Sequence, residues 1–110
     1  MKINKPKVII DYYKLGKDLQ EQVKLQYPYG FADNLIQFNN AKGHTVTALR
    51  FETEEKAYLL RMSAQTAFQI MEDDIDYDDN HMLKKSVKKE YEEKYGESEL
   101  DGENEDFINW

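Results

Sequence analysis

The sequence predicts an α+β domain in which a three-stranded antiparallel meander packs with two or three helices, followed by an acidic C-terminal tail. Two segments with apolar residues every four positions, and three β-type runs separated by turn signals, indicate this class. A chain of 110 residues has the usual size of one domain. We therefore predict a single domain at residues 1–96 and a flexible acidic tail at residues 97–110.

The first predicted helix carries an apolar residue at every fourth position, namely Leu15, Leu19, Val23 and Tyr27. We expect it to begin at Lys17, because Gly16 weakens an earlier turn, and to end at Pro28. The β-branched run "KVIID" before this helix is compatible with a short strand.

Three runs in the middle of the chain predict the meander. They are "NLIQFNN", "HTVTALRFET" and "KAYLLRM", and short polar connectors separate them. Each run has apolar residues at both odd and even positions, so we expect helices to cover at least one face of the sheet.

Two more helices are predicted after the meander. Ser63 is a suitable N-cap for the first of them, whose apolar face comprises Ala64, Ala67, Phe68 and Met71. The last helix follows His81, and Gly96 is suited to its C-terminal cap. Its apolar residues again recur every four positions: Leu83, Val87, Tyr91 and Tyr95.

Composition excludes several classes of protein. The absence of cysteine excludes disulfides, thiolate zinc sites and cysteine nucleophiles. The apolar run after the N-terminal lysines is too short for a signal peptide, so we expect a cytoplasmic protein. The net charge is −7, and nine acidic residues against one lysine lie in residues 90–110. Direct binding of nucleic acid or an anionic membrane is therefore not expected.

The segment "EDDIDYDDNH", residues 72–81, is the most unusual in the chain, with six carboxylates in ten positions. Asp74, Asp76 and Asp78 have the spacing that opens a calcium-binding EF-hand loop. However, the pattern requires glycine at the sixth position and glutamate at the twelfth, where this chain has Asp79 and Lys85. A metal site at these three aspartates is therefore an alternative rather than the leading interpretation.

Two other interpretations of this acidic segment remain open. Aspartate and asparagine favour turns and repel one another, as in a solvated linker. Ile75 and Tyr77 interrupt the acids, however. If the segment docks on a basic protein, these two side chains would add apolar contacts to the charge. Either side chain could instead pack into the core.

The tail ends in "GENEDFINW", which resembles the C-terminal peptides of bacterial single-stranded-DNA-binding proteins. The resemblance covers nine residues and lacks the proline-phenylalanine ending of those peptides. It implies that the acids steer the tail to a basic partner and that an aromatic residue anchors it in a pocket. The alternative is that Trp110 folds back onto the domain.

No motif supports catalysis. The sequence has neither a phosphate-binding glycine loop nor a nucleophile elbow. His44 and His81 are the only histidines, and neither is accompanied by a recognisable nucleophile. A small enzyme with a cleft around His44 is the third alternative.

We therefore predict a non-enzymatic interaction module, without a cofactor, that acts as an adaptor or inhibitor on a basic protein. If that partner normally binds nucleic acid, the displayed carboxylates would imitate phosphates. The predicted contact residues are Asp74, Ile75, Asp76, Tyr77, Asp78, Asp79, Glu105, Asp106, Phe107 and Trp110.

Overall fold

A computed structural model describes residues 5–96 of the chain. Its strands and helices are, in order, β1 (Lys7–Asp11), α1 (Lys17–Gln26), β2 (Ile36–Asn39), β3 (Thr45–Glu52), β4 (Ala57–Arg61), α2 (Ala64–Asp73) and α3 (Lys85–Tyr95). Short 3-10 turns lie on either side of α1, at Tyr12–Lys14 and Ala32–Asn34. The predicted tail lies outside the described residues, so its boundary and flexibility stay predictions.

The sheet has four strands in the order β1-β4-β3-β2. The antiparallel pairs β2–β3 and β3–β4 form the predicted meander, and the α+β class is confirmed. The prediction of three strands is wrong by one, because β1 pairs in parallel with β4 and makes the sheet mixed. Val8 lies opposite Tyr58 and Ile10 opposite Leu60 in this pairing. A parallel pair requires a long crossover, here α1 and the first two strands of the meander.

The three helices share one hydrophobic core with one face of the sheet. Buried Leu49 and Phe51 of β3 lie on that face with Tyr58 and Leu60 of β4. The helices and the connecting segments add apolar side chains to the same cluster, among them Val23, Phe31, Ala67, Ile70, Met71 and Val87. The described domain is therefore a two-layer structure with the helices on one side of the sheet.

The helix boundaries agree closely with the predicted ones. α1 begins at Lys17, and the hydroxyl of Ser63 accepts a hydrogen bond from the backbone N–H of Thr66 as the N-cap of α2. Gly96 caps α3 with a φ of +84°, in the left-handed region that glycine adopts without strain.

Two details of the predicted helices are wrong. Ala64 and Phe68 of the predicted apolar face are exposed, and Ile70 is buried instead, with Ala67 and Met71. The Phe68 ring instead lies edge-on to the imidazole of His81, with centroids 4.9 Å apart. Leu83 is buried but precedes α3, which begins at Lys85.

Among residues 5–96, no helix is long and apolar enough to cross a membrane.

Candidate functional site

The loop between α2 and α3, residues 74–84, contains most of the acidic segment and is the candidate site. It folds back on itself, because Tyr77 and Leu83 pair as an isolated antiparallel bridge. The backbone N–H of Leu83 also donates to the carbonyl oxygen of Pro28, at 2.6 Å, in the turn that follows α1. The α2–α3 loop is therefore attached to the rest of the domain near its C-terminal end, unlike a solvated linker.

Asp78 organises the tip of the α2–α3 loop. Its Oδ1 accepts hydrogen bonds from the backbone N–H groups of Asn80, at 2.8 Å, and Met82, at 3.0 Å. Its own N–H donates to the carbonyl oxygen of Met82 at 2.8 Å. His81 takes a φ of +62°, which is uncommon outside glycine and closes the turn. Such side-chain to backbone bonding is the reason that aspartate favours tight turns.

Two aspartates of the α2–α3 loop point inward to a lysine of α1. The Nζ of Lys24 lies 2.9 Å from Oδ2 of Asp74 and 2.6 Å from Oδ2 of Asp76. The hydroxyl of Tyr91, in α3, donates to the same Asp76 oxygen at 2.6 Å. Lys24 is only 8% exposed, so its charge is balanced by these carboxylates and not by water. This cluster connects α1, α3 and the loop.

Burial and hydrogen bonds together shift the pKa values of the ionisable groups in this cluster. Burial raises the pKa of Asp76, but the hydrogen bonds from Lys24 and Tyr91 outweigh it and hold that pKa below its usual range. The pKa of Lys24 is raised. Burial alone would lower it, but the hydrogen bonds to Asp76 and Asp74 outweigh burial. Burial and the bond to Asp76 both raise the pKa of Tyr91. The ion pair therefore stays charged and the phenol neutral near pH 7.

Tyr77 belongs to the core. It is 5% exposed, its hydroxyl donates to the backbone carbonyl of Tyr27 at 3.0 Å, and its ring packs edge-on to Phe31. Of the predicted contact residues in the loop, Asp74, Asp76 and Tyr77 thus face the domain.

The outward surface of the α2–α3 loop is acidic and carries two exposed apolar side chains, Ile75 and Met82. Ile75 is 81% exposed, between the two aspartates that face Lys24. Asp78 and Asp79 are exposed at the tip of the loop, and Glu72 and Asp73 are exposed at the end of α2. Ile75 adds nothing to the core, so this side chain and the carboxylates around it are the candidate contacts of the site.

Metal-ligating side chains do not gather in the described part of the chain, where no group of three or more histidine, aspartate or glutamate residues could hold an ion. Asp74 and Asp76 share a lysine ammonium group instead. Asp78 uses one carboxylate oxygen in the turn. This arrangement gives the calcium alternative no support.

The two histidines lie apart. His44 is exposed in the turn between β2 and β3, where its backbone N–H donates to the side chain of Asn40 at 3.0 Å. The Nε2 of His81 lies 2.5 Å from a carboxylate oxygen of Glu72 at the other end of the acidic segment. In neither contact is the partner a hydroxyl group that the histidine could activate as a nucleophile.

Sequence reasoning missed Lys24, because a lysine inside an amphipathic helix is usually solvated. One signal was available. Lys24 lies three positions before Tyr27, the last residue of the apolar stripe, so its side chain borders the buried face of α1. The remaining contact candidates, Glu105, Asp106, Phe107 and Trp110, lie outside the described residues.

Comparison with protein-family models, with curated proteins and with solved structures found no match to this chain.

Proposed function

We propose that the protein is a non-enzymatic interaction module, an adaptor or inhibitor, that binds a basic protein through the outer surface of the α2–α3 loop. The observation that carries this proposal is the 81% exposure of Ile75 on a loop held by the Lys24 ion pairs and by buried Tyr77. The contact residues of the loop are then Ile75, Asp78 and Asp79.

Rigidity and charge both favour binding at this surface. A side chain presented by an already ordered loop loses less conformational freedom when it binds than one on a mobile loop. Exposed carboxylates around it accelerate the encounter with a cationic surface and select against acidic partners. An apolar side chain at the centre of such a patch can then anchor the complex.

The tail supplies a second contact in this proposal. Glu105 and Asp106 provide charge, and Phe107 and Trp110 provide aromatic anchors. A partner that normally binds nucleic acid would meet carboxylates in place of phosphates, and the protein would then act as an inhibitor. We place this activity in the cytoplasm, because a chain without cysteine is compatible with a reducing compartment.

Affinity capture from the parent cells with charge-matched variants tests the proposal. The double variant Asp78→Asn, Asp79→Asn removes two exposed charges, and asparagine retains the acceptor oxygen that the turn requires at position 78. The control, Glu54→Gln, Glu55→Gln, makes the same charge change in the exposed turn between β3 and β4. A variant Ile75→Ser tests the anchor.

We expect the wild type and the control to retain the same basic proteins at low salt, and the other two variants to lose them. High salt should weaken retention, because screening shortens the reach of exposed charges. Equal retention by all four proteins, or retention of no basic protein, would contradict the proposal. Circular dichroism spectra of each variant exclude misfolding as the cause of a loss.

A further inference from the structure

The first half of α3 is a cationic surface in an otherwise acidic chain. Lys85, Lys88 and Lys89 are spaced so that they lie on one side of the helix. Lys85 and Lys89 are exposed, and Lys88 is half-buried. Within residues 5–96, none of the three forms an ion pair. We call these three residues the lysine stripe.

Neighbouring carboxylates do not neutralise the lysine stripe. The first turn of α3 contains no acidic residue. Glu92 and Glu93 follow four positions after Lys88 and Lys89, which is the spacing of helical ion pairs. In the described part of the chain, however, no ion pair joins them. Lys94 of the same helix, by contrast, pairs with a carboxylate of α1 at 2.9 Å. The stripe is therefore accessible to an anionic ligand.

An exposed apolar side chain lies beside the lysine stripe. The backbone N–H of Lys84, just before α3, donates to the carbonyl oxygen of Asp76 at 2.9 Å. Ile75 precedes Asp76 and Lys85 follows Lys84, so the isoleucine lies next to the first turn of α3. Ile75 is 81% exposed, and the aspartates on either side of it point to Lys24. This surface fits a ligand that combines carboxylates with apolar side chains.

We propose that residues 97–110 of the same chain dock along the lysine stripe and cover Ile75. This segment contains six acidic residues and no lysine or arginine, and it carries Phe107, Ile108 and Trp110. Its carboxylates would pair with the ammonium groups of the stripe, and an aromatic side chain would pack on the exposed isoleucine.

The segment is long enough to make both contacts. It starts after Gly96, which follows the 11 residues of α3. A helix of that size is roughly 17 Å long, whereas fourteen extended residues span roughly 46–50 Å. The acidic residues can therefore run back along α3, and Phe107 and Trp110 can still extend past its first turn.

Connection within one chain favours this occupant over a separate anionic ligand. A ligand that a short linker holds near its site has an effective concentration in the millimolar range. Nucleic acid, another polyanion that lysines bind, would be repelled by the net charge of −7. A second copy of the chain could offer the same segment, but its binding would depend on protein concentration.

The inference does not rest on the proposed function, but it has a consequence for it. Ile75 is the proposed anchor for a basic partner, so the docked segment would cover that contact in the free protein. A basic partner would compete with the lysine stripe for the carboxylates of the segment and would expose Ile75 again. The segment would then act as an autoinhibitory contact.

Trp110 is the single tryptophan of the chain, so its fluorescence reports on the segment directly. The experiment compares the full chain with a synthetic peptide of residues 97–110. We expect the emission of Trp110 to be blue-shifted, and its quenching by acrylamide to be weaker, in the full chain than in the peptide. Both effects should decrease as sodium chloride is added, because salt screens exposed charges.

Two variants test the two parts of this surface. The double variant Lys85→Glu, Lys89→Glu reverses the charge of the lysine stripe and should abolish both effects. The matched control, Lys42→Glu, Lys56→Glu, makes the same charge change in exposed turns of the sheet and should leave both effects intact. The variant Ile75→Ser removes the apolar contact and should reduce the protection from acrylamide.

Emission and quenching of Trp110 equal to those of the free peptide would overturn the proposal, with no variant required. Protection that grows with protein concentration would also overturn it, because a second copy would then be the occupant. Protection that survives the charge reversal, or that both double variants lose equally, would place the segment elsewhere. If the reversal variant does not fold, Lys85→Gln, Lys89→Gln replaces it and should weaken both effects. None of these readouts requires a partner, so failure here is distinct from failure of the proposed function.

Discussion

The ammonium group of Lys24 lies 2.6 Å from Oδ2 of Asp76, across 52 positions of the sequence. This contact joins the middle of α1 to the loop between α2 and α3. Removing one partner of a buried ion pair costs much more than the pair contributes, because the other charge is left without compensation. The orientation of the loop, and with it the exposure of Ile75, therefore depends on a residue of a distant helix.

Replacement of that lysine should destabilise the domain. We expect Lys24→Met to lower the free energy of unfolding by roughly 3 kcal/mol, since it leaves two partly buried carboxylates facing each other. Lys17→Met, an exposed position in the same helix, should change it by less than about 0.5 kcal/mol. Urea denaturation at pH 7 measures both. Similar values for the two variants would show that the ion pair contributes little to the fold.

Acid should weaken the domain through the same cluster. The pKa of Asp76 is lowered in the folded state, so the folded protein binds fewer protons than the unfolded chain near that pH. The contribution of Asp76 is fully present above about pH 4 and is lost as the pH falls through the folded pKa. Burial raises the pKa of Glu21, but hydrogen bonds from Tyr95 and Lys94 outweigh it, so Glu21 acts in the same direction.

Urea midpoints measured from pH 2 to pH 8 test this dependence. We expect a plateau above pH 5 and a decline below pH 4. Asp76→Asn should lower the urea midpoint on the plateau. It should also make the decline at low pH shallower, because the variant lacks one of the carboxylates that take up a proton on unfolding. The exposed Asp33→Asn should leave the curve unchanged. An equally steep decline in Asp76→Asn would assign the acid sensitivity to other carboxylates.

Local patterns were sufficient for most of the fold. The four-residue apolar spacing of α1, the Ser63 cap of α2 and the turn signals between β2, β3 and β4 depend on neighbours in the sequence. Each of these predictions is confirmed. Short-range sterics and hydrogen bonding determine such features, and a single sequence displays them.

Contacts between distant segments were not predictable in the same way. The strand run at β1 was recognised, but nothing local indicates that it pairs in parallel with β4, about 50 positions away. The acidic segment was recognised too, but which of its side chains point inward depends on Lys24. Tyr77 illustrates the same limit, because its burial requires the turn after α1 to lie beside it.

Tyr77 should contribute through its hydroxyl as well as its ring. Tyr77→Phe removes the hydrogen bond to the carbonyl oxygen of Tyr27 but keeps the packing, so we expect a loss of about 1 kcal/mol in unfolding free energy. Tyr29→Phe, at a side chain that is 70% exposed, serves as the matched control and should be neutral. Thermal and urea denaturation provide the comparison. An unchanged free energy of unfolding in Tyr77→Phe would indicate that the carbonyl oxygen of Tyr27 accepts a hydrogen bond from another group when the phenol hydroxyl is absent.

Gly30 is required where the turn after α1 meets the α2–α3 loop. Its φ is +100°, and an added Cβ would lie 3.3 Å from the carbonyl oxygen of His81. We expect Gly30→Ala to cost about 1–2 kcal/mol in unfolding free energy from the backbone alone, with a further loss from this close contact. Gly43→Ala measures the cost of the backbone conformation alone, because Gly43 has a φ of +81° and no atom within 4 Å of its added Cβ. Equal urea midpoints for the two variants would mean that the α2–α3 loop moves away from the added Cβ at position 30 without a loss of stability.

Calcium should not bind tightly to Asp74, Asp76 and Asp78. Lys24 already neutralises the first two, and a bound cation would have to displace its ammonium group from a partly buried position. Isothermal titration of the intact protein with calcium chloride at low ionic strength should give no saturable heat in the micromolar range. The variant Asp78→Asn removes the charge of the third carboxylate and retains the turn, so it provides the matched control. Saturable micromolar heat in the wild type that this variant abolishes would contradict the prediction and establish the metal alternative.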